Sequence, residues 1–272
     1  MSLPIWTRVA LSSEFRPFAG LCWRVVEAQH RISTLKLTDR LAEQVLLEEL
    51  LEQTKPAIPV ECRHLDFLLA TPFRYGAQYP QGSRFRRAGR TAGVYYAAET
   101  VATAVAEMAF RRLLFFAESP ATPWPNGAAD YTVFAAEIET EWLLDLTEPP
   151  LAGDAAIWSD PVRYGGCQAF AEAARDAAAE AIRYRSVRDP EGGKNLAILV
   201  CRAFASAAPV ERQGWRMRFS ASGIQAICEY PAQALEFSRE AFSADPRIAT
   251  LNWVRATAPH PMRGRAARAS ET

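Results

Sequence analysis

The sequence lacks a net charge, a long apolar run and an uninterrupted apolar leader. Lys plus Arg and Asp plus Glu each number 31 in 272 residues, so the formal charge is zero. A balanced charge argues against a protein that coats nucleic acid through bulk electrostatics. No stretch of 18 consecutive apolar residues could span a membrane, and Arg8, Glu14 and Arg16 interrupt the region where a signal peptide would be apolar. We therefore expect a cytoplasmic protein with no membrane partner and no direct nucleic-acid partner.

Cysteine and histidine are also scarce. The five cysteines are odd in number and have no CxxC spacing, which argues against a disulfide framework and predicts small buried side chains. The three histidines form no HxxxH pair, so no metal site is predicted. The chain has no GxGxxG or GxSxG motif. Segment 191–195 is not a phosphate loop, because Arg188 stands where that motif needs glycine and Asn195 where it needs Ser or Thr.

The composition is that of a globular chain, with 49% apolar and 23% charged residues. Helices are predicted from Asp39 to about 53, over 101–116 and over 167–182. Strands are predicted at 23–26, 94–98, 131–138, 142–146, 184–187, 196–201, 215–220 and 224–230. The region 72–93 is expected to be a loop or an irregular strand. Because the elements alternate without a regular βαβ rhythm, the fold class is α+β or irregular α/β.

Three regions are expected along the chain. Residues 1–60 form an N-terminal extension with an acidic amphipathic helix, 61–255 the domain expected to carry the functional site, and 256–272 a disordered basic tail. The helix over 39–53 has a broad leucine-rich apolar face and five acids against one base. Two interpretations of its acidic face remain open, a solvated surface or a face that binds a partner.

The region 71–98 is distinctive because it contains arginines but no acidic residue. Five arginines fall within 17 residues, interleaved with aromatic residues: Arg74, Arg84, Arg86, Arg87 and Arg90. Guanidinium groups bind phosphate in a bidentate manner, and aromatic rings stack on flat bases. Glu107 follows on the next predicted helix. These features indicate either a phosphorylated sugar ligand with an acid at its reactive carbon, or a solvated loop and a surface ion pair.

Six short segments in order resemble one family. They are WRVVEAQHRIST at 23–34, TPFRYG at 71–76, GSRFR at 82–86, GVYYAAET at 93–100, AVAEMAF at 104–110 and RYRSVRDPEGGKN at 183–195. This series is similar to the RES-domain family, whose members are toxins of bacterial toxin–antitoxin systems. The resemblance implies a fold like that of ADP-ribosyltransferases, with central sheets and flanking helices. It also implies that NAD is a substrate rather than a cofactor, cleaved at the nicotinamide–ribose bond by water or phosphate. The partner it implies is an Xre-type helix-turn-helix antitoxin, and a homo-oligomer is expected.

The resemblance also implies roles for individual residues. Glu107 is the family glutamate and Ser186 the family serine, expected near the nicotinamide riboside. Arg74 is expected to take part in catalysis through the NAD phosphates, beside Tyr75. Three further residues are expected to bind the ligand. Arg84 is a second anion contact, and Tyr96 is the strand tyrosine of the site, with Tyr95 as the alternative choice. Asn195 is expected in a second layer behind these residues. Phe85 departs from the family pattern, which usually has tryptophan there.

The chemistry implied needs one carboxylate. Nicotinamide is a cationic leaving group and departs neutral, so no general acid is required, unlike the two-carboxylate arrangement of glycosidases. Two other functions fit the same residues: an ADP-ribosyltransferase that modifies a macromolecule, and a nucleic-acid-binding module built on the arginine cluster.

Overall fold

The computed structural model describes residues 6–28, 37–74, 82–89 and 92–258. Its strands are β1 (Arg16–Glu27), β2 (Tyr95–Ala98), β3 (Ala129–Asp145), β4 (Ala181–Arg185), β5 (Lys194–Ile198), β6 (Glu211–Ser220), β7 (Gly223–Cys228) and β8 (Gln233–Phe237). Its α-helices are α1 (Arg8–Ser12), α2 (Leu41–Gln53), α3 (Phe67–Arg74), α4 (Val101–Glu118), α5 (Ala155–Trp158), α6 (Gly165–Asp176) and α7 (Pro246–Ala249). The mixed α+β class is therefore confirmed.

The strands form one sheet in the order β1-β2-β5-β4-β3-β6-β7-β8, and β1 pairs with β3 as well as β2. Five strands thus close on themselves, while β6, β7 and β8 continue outward from the first half of β3. The long strand β3 can do this because it contacts β6 through Ala129–Ala135 and β4 through Leu143–Asp145. The sequence predicted two strands in this region, but the backbone is continuous.

One pair of neighbouring strands, β3 and β4, is parallel. Parallel neighbours need a crossover connection, and the segment with α5 and α6 supplies it. Helix α6 ends at Asp176, because Ala178 adopts a left-handed backbone with φ of 66° and β4 begins at Ala181. The predicted helix over 167–182 was therefore too long, since a run of alanines carries no signal for a turn that tertiary pairing imposes.

Helix α4 was predicted well because its signals are local. The Thr100 side chain accepts a hydrogen bond from the Thr103 backbone N–H at 3.1 Å, which caps the first turn. The buried residues of α4 recur at helical spacing and pack against β6, β7 and β8. Leu113 and Phe116 belong to that core.

Other local predictions were wrong. The region from Pro72 was expected to be a loop, yet α3 continues through Pro72 to Arg74. Strand β8 was not predicted. Asp39 does not cap α2, whose N-cap is Arg40 without a side-chain hydrogen bond. Of the tail, residues 256–258 pair with Trp124, and residues 259–272 lie outside the described residues.

Cys62 and Cys201 form a disulfide with their Cα atoms 5.4 Å apart. They are 139 residues apart in sequence and come from two 3₁₀ turns, Val60–Cys62 and Cys201–Ala203. The expectation that the cysteines form no disulfides was wrong for this pair, because only tertiary contact brings such distant residues together. Cys22, Cys167 and Cys228 are buried free thiols, as predicted.

Over the described residues, none of the helices combines the length and the apolar character needed to cross a bilayer.

Candidate active site

A cavity of about 470 Å³ lies between α4 and the edges of β1 and β2. One side of α4 faces it, through residues three or four positions apart: Ala104, Glu107, Arg111, Leu114 and Glu118. Trp23, Arg24 and Val25 of β1 line the opposite wall. The regular spacing on α4 places one carboxylate and one guanidinium, Glu107 and Arg111, in adjacent turns of the same face.

Glu107 is held by two buried side chains. The Ser186 hydroxyl donates to Glu107 Oε1 at 2.7 Å, and Asn195 Nδ2 donates to the same oxygen at 2.6 Å. Ser186 and Asn195 are nearly fully buried. Both donors act on one carboxylate oxygen, so they fix the plane of the carboxylate while Glu107 itself is partly exposed to the cavity. The sequence assigned all three residues to the site, and the structure brings them together.

The turn after β4 fixes the position of Ser186. The Ser186 Oγ accepts hydrogen bonds from the backbone N–H groups of Arg188 and Asp189 at 3.2 and 3.0 Å. Asp189 in turn accepts from Thr103 of α4 and from the Gly193 backbone N–H. A Cβ at Gly193 would lie 2.1 Å from Thr103 Oγ1, so glycine is needed for this close approach. The Ser186 hydroxyl therefore orients Glu107, and the hydrogen bonds described for it are all made within the protein.

The side-chain oxygen of Asn195 is left without a hydrogen bond to the described residues. Asn195 lies on β5 opposite Ala98 and Tyr184. Its Oδ1 is buried and has no hydrogen-bond partner among the described residues. An unsatisfied buried acceptor is costly, and this one lines the cavity. It can accept a hydrogen bond from a ligand's hydroxyl or amide.

Tyr96 supports a turn at the cavity mouth. Its hydroxyl lies 2.8 Å from Ser83 Oγ and accepts from the Phe85 backbone N–H at 3.0 Å. Burial raises the pKa of Tyr96 above its ordinary value. Gly82 begins the turn with φ of 69°, and a Cβ there would lie 2.1 Å from the Arg86 carbonyl oxygen. The Tyr96 ring lines the cavity, while its hydroxyl is used inside the protein. Tyr95, the competing choice, is buried beneath Arg24.

Two arginines that the sequence did not assign line the cavity. Arg24 donates to the Tyr96 carbonyl oxygen at 2.7 Å and lies over the Tyr95 ring at 5.1 Å. Burial lowers the pKa of Arg24, and the positive charge of Arg111 lowers it further. Arg111 is exposed and forms no ion pair with a described residue. Two guanidinium groups that line the same cavity can bind an anion.

A further pair of arginines shares one carboxylate. Arg188 donates to Asp245 at 2.5 Å, and Arg247 donates to the same carboxylate at 2.8 Å. The Arg188 guanidinium lies 3.9 Å from the centre of the Phe110 ring on α4. Both arginines line the cavity, so this wall carries one net positive charge. Arg24 and Arg188 lie in segments that resemble the family, at 23–34 and 183–195, but the sequence did not assign them to anion binding. Arg111 and Arg247 lie outside those segments.

The arginine cluster of the loop is not gathered at the cavity. Arg84 lines it, but its guanidinium is buried and donates to the carbonyl oxygens of Trp158 and Asp160 at 2.6 and 3.0 Å. Arg74 pairs with Glu52 at 2.5 Å and is not among the cavity-lining residues. Arg87 pairs with Glu172. The prediction that Arg74 and Arg84 clamp one anion is not reproduced, because each guanidinium is bound by a different part of the chain.

Two residues of the same predicted loop, Tyr75 and Arg90, lie outside the described residues. In the part of the chain that the structure describes, no cluster of three metal-ligating side chains occurs.

A family model for the RES domain matches residues 58–220. The chain belongs to the RES domain family. No curated protein sequence matches it. Among solved structures, this RES-domain protein is similar to a chain of the M. tuberculosis MbcT–MbcA toxin–antitoxin complex. The likeness has 13% sequence identity and a TM-score of 0.43, and it covers 89% of this chain and 98% of the other.

The matched part of the RES-domain protein contains Glu107, Ser186 and Asn195. Arg24 and Arg247 lie outside it, one before and one after. The cavity is therefore completed by segments on both sides of the family-matched region.

Proposed function

We propose that this RES-domain protein is the toxin of a toxin–antitoxin pair and that it destroys NAD by cleaving the nicotinamide–ribose N-glycosidic bond. One observation carries the proposal: the Glu107 carboxylate is fixed by two buried donors at a cavity that also presents Arg24 and Arg111. A dinucleotide offers a pyrophosphate to the arginines and a ribose to the carboxylate. A volume of about 470 Å³ is in the range of small-molecule sites.

In the proposed reaction the bond between ribose C1′ and the nicotinamide nitrogen breaks, and the electron pair leaves with nicotinamide. The nicotinamide departs neutral, and positive charge develops at C1′ and O4′. Water or phosphate then bonds to C1′ and loses a proton, which yields ADP-ribose or ADP-ribose 1″-phosphate. Such a protein is an NAD glycohydrolase or an NAD phosphorylase.

Glu107 stabilises the developing positive charge and accepts a hydrogen bond from a ribose hydroxyl. Its orientation is already set by Ser186 and Asn195, so little reorganisation accompanies the reaction. The free Oδ1 of Asn195 is an acceptor for the ribose or for the carboxamide. Arg24 and Arg111 hold the pyrophosphate through guanidinium–phosphate hydrogen bonds, so they bind the part of NAD that is remote from the reacting bond.

The same proposal includes an ADP-ribosyltransferase-like arrangement of the sheet. A cavity lined by β1, β2, β4 and β5 with α4 across it is compatible with the ADP-ribosyltransferase-like arrangement of central sheets and flanking helices that the family resemblance implies.

The direct test is incubation of the purified protein with NAD, with and without phosphate, followed by product identification. We expect free nicotinamide together with ADP-ribose, or with its 1″-phosphate when phosphate is present. Glu107→Gln is the matched control. Unchanged NAD in both buffers contradicts the proposal. A protein adduct of ADP-ribose formed in a target lysate, without free ADP-ribose, would assign the site to a macromolecule-modifying transferase.

The antitoxin is tested in cells. Expression of the chain alone should arrest growth while NAD falls, and co-expression of an adjacent frame with Xre-type helix-turn-helix patterning should restore both. Arrest at a constant NAD concentration would contradict the proposed activity.

A further inference from the structure

Helix α2 presents its apolar side chains to solvent. Five of them are 42% to 73% exposed: Leu41, Val45, Leu46, Leu50 and Leu51. Gln44 is its buried residue among those described, and Glu52 binds Arg74 of α3. The described contacts of α2 with the domain are thus largely polar, with Leu47 half-buried, whereas a surface helix usually buries its apolar side.

Packing of these exposed apolar side chains therefore does little to stabilise α2. A helix of 13 residues is marginal by itself in water, and most helices are stabilised by packing of their apolar side. Leu46 and Leu50 are one turn apart and form an exposed apolar ridge. Apolar side chains gathered in this way on a surface mark interaction sites more often than single exposed residues do.

The charges beside the ridge indicate what covers it. Glu43 and Glu49 each lie three positions from Leu46, so they flank it on the helix surface. Neither forms an ion pair with a described residue. A second copy of α2 packed on the same ridge would bring these carboxylates together, and like charges at such distances repel. A partner with basic residues beside apolar ones complements them.

We propose that the α2 ridge, Leu46 and Leu50 flanked by Glu43 and Glu49, is the docking surface for a partner protein that presents an amphipathic helix with Lys or Arg flanks. The ridge precedes the family-matched residues 58–220 and contributes nothing to the cavity. The proposal therefore does not depend on the NAD activity, and its test measures binding alone.

The probe is a fluorescein-labelled helical peptide of about 15 residues, with leucines three and four positions apart and lysines on both flanks. Its counterpart has glutamates in place of the lysines. Fluorescence anisotropy with the full-length protein should show binding of the lysine peptide and none of the glutamate peptide.

Variants locate the binding. Leu46→Gln combined with Leu50→Gln keeps residues that favour helix and should weaken binding of the lysine peptide about tenfold. Glu43→Gln combined with Glu49→Gln should weaken it several-fold and reduce its salt dependence. Ile227→Gln, at an equally exposed apolar position on β7 that is 53% exposed, should leave binding unchanged. Circular dichroism checks that each variant stays folded.

Two results overturn the proposal. One is binding of the lysine peptide that Leu46→Gln/Leu50→Gln does not weaken. The other is a wild-type dimer in analytical ultracentrifugation that this double variant converts to monomer, which would assign the ridge to a second copy of the chain.

Discussion

Replacing Glu107 by glutamine isolates the effect of its charge. The two donors meet one oxygen, Oε1, at 2.7 and 2.6 Å from Ser186 and Asn195. A glutamine carbonyl oxygen in that place accepts both bonds, so the geometry is kept while the negative charge is lost. At about 4 Å and an effective dielectric constant of about 20, a charge pair is worth about 4 kcal/mol. Loss of that stabilisation in the transition state slows the reaction about a thousandfold.

The assay is kcat for nicotinamide release, followed by chromatography, together with thermal unfolding. Glu107→Gln should lose about three orders of magnitude in kcat while its Tm stays close to that of the wild type. Glu107→Ala is the informative contrast, because it leaves the Ser186 and Asn195 donors buried without an acceptor, at a cost of about 1–3 kcal/mol of stability each. Glu107→Gln with kcat within tenfold of wild type would refute the electrostatic reasoning.

Four further outcomes are expected. Ser186→Ala should lower both kcat and the free energy of unfolding, the latter by about 1–3 kcal/mol, because the hydroxyl bonds Glu107 and two backbone N–H groups. Arg111→Gln should raise KM for NAD about tenfold with little change in kcat, since an exposed cation binds the remote phosphates. Burial raises the pKa of Cys22 to about 12 from 9.0. The neutral thiol therefore stabilises the fold fully below pH 9, and this contribution is lost as the pH rises toward 12; Cys22→Ala should show a smaller alkaline loss in denaturant titrations. Reduction of the Cys62–Cys201 disulfide, which closes a span of 139 residues, should lower the free energy of unfolding by about 2–4 kcal/mol.

Each outcome has a contradicting result. An unchanged kcat in Ser186→Ala would show that Glu107 needs no positioning. A fall in kcat at constant KM in Arg111→Gln would place that residue at the reacting end. If wild type and Cys22→Ala lose equal amounts of unfolding free energy at alkaline pH, ionisation of the Cys22 thiol is not the cause of the loss. Five titratable thiols in the unfolded, unreduced protein would show that the disulfide does not form.

Much of the local structure follows from adjacent residues. Thr100 and the apolar spacing after it predicted α4, and the hairpin of β6 and β7 followed from alternation around a turn. Local signals were insufficient where long-range pairing decides. A continuous β3 depends on partners along both of its edges, and the end of α6 depends on the start of β4. Helix α3 contains Pro72 as its sixth residue and ends two residues later at Arg74, so proline, which removes a backbone N–H donor inside a helix, misled the local prediction by a few residues.

The candidate site could also be predicted only in part from the sequence. Glu107, Ser186, Tyr96 and Asn195 could be named from the sequence through a family resemblance, since each belongs to a short motif. The anion-binding side could not, because guanidinium groups are long and pair with whichever acceptor the fold brings near. Arg74 belongs to the arginine-rich region yet binds Glu52, whereas Arg111 forms no ion pair with a described residue and lines the cavity.

The sequence by itself thus determined the fold class, the helix that carries Glu107 and the even balance of acidic and basic residues. Tertiary structure alone decided which arginines face the cavity, that Cys62 meets Cys201, and that the leucines of α2 point to solvent. The physical reason is the separation along the sequence over which each interaction acts. Capping, periodicity and turn chemistry act within a few residues, while burial and charge pairing depend on groups that the chain brings together from far apart.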